Sequence, residues 1–162
     1  MAGYTLEQVA ARRDPLTTEK WVVANGYQLP FGLPSIYVEG IDLPFLNYSV
    51  GQSILTGGIN RHYAGLAEVS SFSMILYEDS SGTTVKWLDR WKSNIADPAT
   101  QLHKVPREYK RDIPVELHAQ DGSVALRRTL IGIWPVDTSP VSLGAVGERL
   151  IISQPFSIDN IR

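Results

Sequence analysis

Apolar and polar residues alternate in several short stretches of the chain, with the period of two that half-buried β-strands show. In residues 70–76, Phe72, Met74 and Leu76 share one face with Ser70, and Ser71 and Ser73 lie on the other. Residues 113–119 alternate in the same way, and the Asp121-Gly122 pair that follows is a hairpin signal leading into a strand at 124–133. Shorter β-like runs occupy residues 21–23, 35–39 and 150–158. The pattern predicts a mainly β domain.

A second hairpin is expected over residues 46–66. Leu46, Tyr48 and Val50 alternate with polar residues, and Gly57-Gly58 supplies the positive φ angles that a tight reversal needs. The far end of this hairpin is more polar than a core strand would be. We therefore predict an arm that reaches beyond the domain.

One central helix interrupts the strands. Residues 83–97 place Leu88, Trp91 and Ile95 on one apolar stripe with Val85, and Asp97-Pro98 stops the helix. We expect this stripe to pack on the sheet, so that core packing, rather than a cofactor or sugar platform, explains the tryptophans. The predicted core residues are Leu88, Trp91, Ile95 and Trp134. A capping box at Thr5 to Gln8 also predicts a short helix within an N-terminal segment, residues 1–17.

The composition sets the class of protein. A chain of 162 residues suits one domain, 1–162, and its 43% hydrophobic and 20% charged residues are those of a globular chain without a membrane span. The expected fold is mainly β (α+β), a β-sandwich or barrel-like domain with one packed helix. Because the chain has no cysteine, no disulfide or thiolate chemistry is available to it. The first residues lack a secretory signal, so folding in a cytoplasm is expected.

The sequence lacks the common motifs of metal-binding, nucleotide-binding and hydrolytic sites. Its histidines, His62, His103 and His118, lie in different segments without metal-site spacing, and there is no phosphate-binding loop or nucleophile elbow. The net charge of −2 argues against a tight grip on nucleic acid, and the basic residues within 99–111 are read as a solvated loop. We predict no enzyme activity, no catalytic residue, no cofactor and no metal.

Three segments in order carry a family resemblance: the helix at 85–95, Pro106-Arg107-Glu108-Tyr109-Lys110-Arg111, and Ile131-Gly132-Ile133-Trp134-Pro135. With Ile41-Asp42-Leu43-Pro44 before the long hairpin, they make residues 18–158 resemble the tail tube proteins of long-tailed, contractile-type bacteriophages.

The resemblance implies a structural virion protein. Its sheets would join between subunits into the barrel of a hexameric ring, and stacked rings would form the tube through which DNA passes during ejection. The implied partners are further copies, the tape measure, sheath, and baseplate or tail-terminator proteins, and the implied location is the virion after assembly in the host cytoplasm. Candidate lumen-facing residues are Ser71, Ser73, Glu116 and His118; candidate inter-ring arm residues are Ser53, Gly57, Gly58, Asn60 and Arg61.

Other functions stay open at this point. A tube initiator or baseplate ring of the same fold is one, and a monomeric β-sandwich binding module for a sugar or host surface is another. The sequence leaves open whether the tail contracts.

Overall fold

The computed structural model describes residues 21–23, 28–54, 60–69, 71–137 and 149–162. The strands are β1 Trp21–Val23, β2 Val38–Ile41, β3 Leu46–Ile54, β4 Asn60–Val69, β5 Phe72–Tyr77, β6 Arg111–His118, β7 Val124–Pro135, β8 Ile151–Ser157 and β9 Asn160–Ile161. The helices are α1 Thr83–Ser93 and α2 Pro106–Tyr109, and two 3-10 turns lie at Pro30–Gly32 and Ser35–Tyr37. The predicted helix within 1–17 lies outside the described residues.

Seven strands form one antiparallel sheet in the order β1-β6-β7-β8-β5-β2, with β9 paired to β7. The sheet folds over where the long strand β7 changes partner: it pairs with β6 along most of its length and with β8 at Trp134 and Pro135. The fold is thus mainly β with a packed helix, as predicted. Within the described part of the chain β1 and β2 are both edges, so the subunit does not close a barrel by itself.

The core lies between the two halves of this folded sheet. In β5 the alternation predicted from the sequence is present, with Phe72, Met74 and Leu76 buried. Strands β6, β7 and β8 contribute further apolar side chains to the same cluster: Ile113, Val115, Leu130, Ile133, Ile152 and Phe156. This cluster is the main source of hydrophobic stabilisation.

Helix α1 covers one end of the core, but its boundary and its buried face differ from the sequence prediction. It ends at Ser93 rather than at 97, and Trp87 takes the inward position expected for Val85, which is 41% exposed. Leu88 and Trp91 are buried. Ile95 lies in the turn beyond the helix, where its carbonyl accepts from the Lys104 amide, and does not join the buried cluster.

Three further differences concern short segments. Residues 35–37 form a 3-10 turn, so the strand expected at 35–39 begins only at Val38. The loop expected at 99–111 contains helix α2, which Pro106 begins in the first helical position. Trp134 was predicted to be a core residue, but it lies at the rim, edge-to-face against Tyr109 with ring centroids 5.9 Å apart.

Candidate assembly surface

Strands β3 and β4 form a separate two-stranded antiparallel sheet where the sequence predicted a hairpin. Neither strand pairs with the seven-stranded sheet within the residues described. An isolated two-stranded hairpin is marginally stable in water, because too little apolar surface is buried to offset chain entropy. The hairpin therefore needs a further surface to pack against.

One face of this hairpin is apolar and open to solvent. Cross-strand partners share a face, and the register places Leu46 opposite Val69, Tyr48 opposite Ala67 and Val50 opposite Ala64. The relative exposures are 39% for Leu46, 58% for Tyr48 and 69% for Val50. Contiguous apolar surface of this kind marks an interaction site in soluble proteins.

The opposite face of the hairpin is held by its own contacts. The Tyr63 ring lies over Gly51, so closely that a Cβ at Gly51 would overlap the ring. A β-bulge between Tyr48 and Val50 leaves Ser49 against Gly65, and the Ser49 hydroxyl donates to the Leu66 carbonyl at 3.4 Å. These contacts shape the hairpin before any partner binds.

Only three of the five candidate arm residues, Ser53, Asn60 and Arg61, lie within the residues that the structure describes. Ser53 pairs with Arg61 at the far end of the hairpin, and Asn60 begins β4 opposite Ile54. Gly57 and Gly58 lie outside the described residues. Arg61 is exposed and has no ion pair among the residues that the structure describes.

A second open surface runs between the edge strands β1 and β2. Two cavities of about 540 and 400 Å³ lie there, and both are lined by Trp21 of β1 and Glu39 of β2. We call these two cavities together the seam. They lie beside β1 and β2, which are edge strands among the residues that the structure describes, and the free backbone groups of strand edges readily pair with another strand.

The four candidate lumen-facing residues do not form one cluster. Ser71 immediately precedes β5, and Ser73 lies on β5 opposite Pro155 of β8. Glu116 and His118 lie on β6, where Glu116 is largely buried and accepts from the Arg127 Nε at 2.6 Å. Since its charge is paired in this way, Glu116 presents less negative charge than an open acidic side chain would. Which residues face a lumen stays a prediction.

Two acidic residues before α1 have a role that the sequence did not reveal. Glu78 accepts from the amides of Thr84 and Val85 at 3.0 and 2.8 Å. Asp79 accepts from the Thr83 amide and hydroxyl and from the Tyr37 hydroxyl at 2.8 Å. Bonds to the charged form, led by the Thr83 hydroxyl, hold the pKa of Asp79 well below its ordinary value. The pair caps the helix and ties it to the turn before β2.

Two features are absent from the described part of the chain: a metal-binding cluster and a helix that could cross a membrane. It contains no cluster of three or more histidine and acidic side chains suited to a metal ion. No described helix has the length and apolar character that crossing a bilayer requires.

Comparisons with known proteins identify the fold. A chain of the anti-feeding prophage cap (AFP tube terminating cap) matches with TM-score 0.70 at 16% identity, covering 94% of this chain and 92% of that one. A chain of the PVC sheath/tube terminator in the extended state gives 0.71 at 15%, covering 94% and 98%. A chain of the PVC sheath-tube complex, from an extracellular contractile injection system, gives 0.69 at 14%, covering 99% and 97%.

At these identities the likeness establishes the fold over nearly the whole chain. No protein-family model and no curated protein matches.

Proposed function

We propose that this chain is a structural subunit of the tube in a contractile, tail-like particle, and that it acts by assembling into stacked rings. The observation that carries the proposal is the exposed apolar face of the β3–β4 hairpin on a subunit whose sheet, within the described residues, also ends in two edge strands without a partner. A monomer with these features leaves apolar surface and backbone hydrogen-bonding groups unused. Association with copies of itself satisfies both.

The similar structures support this function because they come from a sheath-tube complex of a contractile injection system and from assemblies described as a tube terminating cap and a sheath/tube terminator. They also favour a second candidate of the same class. Two of the three described above are a cap and a terminator, so a single ring at the end of a tube is a specific alternative to the repeating subunit. A baseplate ring or tube initiator belongs to the same group of roles.

In this function the chain is not an enzyme, and its partners are proteins. Copies of itself form the ring, and sheath, tape measure, baseplate and terminator proteins contact the tube. DNA, in a phage, passes through the lumen without specific binding, and the mature location is a virion or phage-tail-like particle. No metal or cofactor takes part.

A monomeric binding module for sugar or a host surface is the contrasting function. The hairpin argues against it, since a binding module has no need of an apolar strand face on an element separate from its core. The distinguishing property is mass in solution: a binding module stays at the mass of one 18.0 kDa chain, whereas a ring subunit does not.

The test measures assembly and folding separately. The wild-type protein, concentrated and examined by light scattering and electron microscopy, should form rings or tubes, or add to a tube or baseplate seed. Tyr48→Ser with Val50→Ser should leave the circular dichroism spectrum intact but reduce assembly about tenfold or more, since buried apolar contacts are lost. Val85→Ser with Leu102→Ser is the matched control, because both side chains are exposed but lie outside the hairpin.

Persistence of a monomer at millimolar concentration, with no addition to a seed, would contradict the proposed function. Counting copies per particle by quantitative mass spectrometry separates the repeating subunit, present in many rings, from a terminal ring of one layer.

A further inference from the structure

The imidazole ring of His118, the last residue of β6, lies between two oxygen atoms that accept hydrogen bonds. Its Nδ1 is 3.1 Å from the carbonyl oxygen of Gly122, in the turn between β6 and β7. Its Nε2 is buried and 3.5 Å from Oε2 of Glu116, at ion-pair distance but without a hydrogen bond to any residue that the structure describes. The ring therefore has an acceptor oxygen on each side.

A neutral imidazole does not satisfy this arrangement. It carries one proton and donates at only one of its two nitrogens. With the proton on Nδ1, the lone pair of Nε2 faces the Glu116 carboxylate; with the proton on Nε2, the lone pair of Nδ1 faces the Gly122 carbonyl oxygen. Either tautomer thus sets a lone pair against an acceptor. Only the imidazolium, with a proton on each nitrogen, donates to both oxygens.

The charged groups around the ring are also arranged for a cation. The Glu116 carboxylate is divided between two partners, since Oε1 accepts from the Arg127 Nε at 2.6 Å and Oε2 faces His118. The Arg127 side chain is 66% exposed, so water screens its repulsion of an imidazolium, whereas the Glu116 side chain is only 10% exposed. Asp121 adds a second acid in the turn. On the other side of β6, strand β1 (Trp21–Val23) contains no ionisable side chain.

We propose that His118 forms a proton-dependent bridge, in which its imidazolium joins the turn at Gly122 to the Glu116–Arg127 pair within the sheet. Protonation of Nε2 replaces a contact between two acceptors by a charge-assisted hydrogen bond. The stabilisation is present in mildly acid solution, where histidine is charged, and is lost as the pH rises and the Nε2 proton leaves. All of these groups belong to one subunit, so this inference does not rest on the proposed function.

The first test observes the ring directly in the full-length protein. Long-range ¹H–¹⁵N correlation spectra distinguish the two neutral tautomers from the imidazolium, and the signal that is lost in His118→Gln assigns the His118 ring. At about pH 7, in the range where histidine changes its charge, the charged fraction of this ring should be clearly smaller in Glu116→Gln than in the wild-type protein. The same charged fraction in both proteins would overturn the proposal.

The second test measures how the bridge affects stability. His118→Gln should lower the melting temperature by about 2 °C more at about pH 6 than at about pH 8.5, because only the charged ring donates to both oxygens. In the Glu116→Gln protein this extra loss at acid pH should disappear. In the Arg127→Gln protein it should remain, since Oε2 still faces the ring. His103→Gln, at an exposed position with no ion pair among the described residues, is the control for removal of a histidine.

The outcomes decide the proposal whether or not the protein assembles. An extra loss at acid pH that requires Glu116 but not Arg127, and that His103→Gln does not reproduce, establishes the bridge between His118 and Glu116. An equal loss at both pH values shows instead that the His118 side chain acts through packing alone, and this result overturns the proposal. Because the spectra of the wild-type protein need no substitution at His118 beyond the assignment, poor folding of one variant does not leave the question open.

Discussion

Replacing Trp91 by alanine removes the side chain that joins helix α1 to both the sheet and the loop beside it. Trp91 is fully buried, and its ring centroid lies 5.3 Å from those of Phe31 and Trp87 and 5.6 Å from that of Phe156. Its indole Nε1 donates to the Tyr109 carbonyl at 2.7 Å. One truncation thus removes packing and a hydrogen bond together.

The cost follows from these two losses. Truncation of a buried tryptophan to alanine costs about 3–5 kcal/mol through lost burial and the cavity left behind. Leaving the Tyr109 carbonyl without its donor adds about 1 kcal/mol or more, unless water reaches it. Domains of this size have total stabilities of about 5–15 kcal/mol. We therefore expect the Trp91→Ala protein to lose a large part of its stability and to unfold at a clearly lower urea concentration.

Urea denaturation followed by far-ultraviolet circular dichroism measures the effect. Trp91→Phe keeps an aromatic ring and removes the hydrogen bond, so it should cost less than Trp91→Ala. Val85→Ala, on the exposed side of the same helix, should change the unfolding free energy by about 0.5 kcal/mol or less. A loss below about 1 kcal/mol for Trp91→Ala would refute the packing argument.

Three further predictions concern the backbone and the acidic helix cap. Gly132 has a φ of 66°, and the Asp159 carboxylate occupies the place that a Cβ would take, so Gly132→Ala should lower the unfolding free energy measured by urea denaturation by about 2 kcal/mol or more. Gly122 also has a positive φ but no atom near the place of a Cβ, so Gly122→Ala should lower the unfolding free energy by less. Because the pKa of Asp79 is lower in the folded protein than its unfolded-state value of 3.8, the Asp79 carboxylate stabilises the fold above pH 3.8, and this stabilisation is lost as the pH falls further. The Asp79→Asn protein should therefore be less stable at pH 7, and its melting temperature should fall less steeply below pH 4. A hydrogen bond to Asp79 raises the pKa of Tyr37 above 10.0, so the Tyr37 hydroxyl stabilises the fold below pH 10.0, and this stabilisation is lost as the pH rises through the folded-state pKa. Tyr37→Phe should remove this loss of stability at alkaline pH. An unchanged alkaline melting profile would contradict the hydrogen bond.

The strands could be predicted where side-chain period and turn chemistry agree. The β6–β7 hairpin follows from the alternation in residues 113–119 and from the Asp121-Gly122 pair after it, and Gly122 does adopt a positive φ of 84°. Strand β5 follows from alternation alone, because one of its faces is buried in the core. In these segments local preference and tertiary packing require the same conformation.

The differences arise where a short segment depends on contacts distant in sequence. Val85 lies on the exposed side of α1, whereas Trp87 is buried, and the Trp87 indole nitrogen donates to the Pro30 carbonyl, a contact 57 residues away that no helical period contains. The acidic cap on α1 was missed because the capping role of Glu78 and Asp79 requires the turn that brings them to the first amides of the helix. The seam likewise depends on which strands become edges, and this is a property of topology rather than of local pattern.

The apolar hairpin raises a physical problem, since a surface suited to assembly is also suited to aggregation. The hairpin limits this risk through its polar and charged residues, which include Asn47 and Glu68 as one cross-strand pair and Ser53 and Arg61 as another. Such residues and the bulge disfavour flat, indiscriminate pairing of strands, while leaving the apolar face available to a surface that matches it. The subunit's core forms from strands of the larger sheet and from α1. In the proposed assembly, folding and association would therefore draw on largely separate sets of side chains, apart from Val69 of the hairpin, which packs against the core.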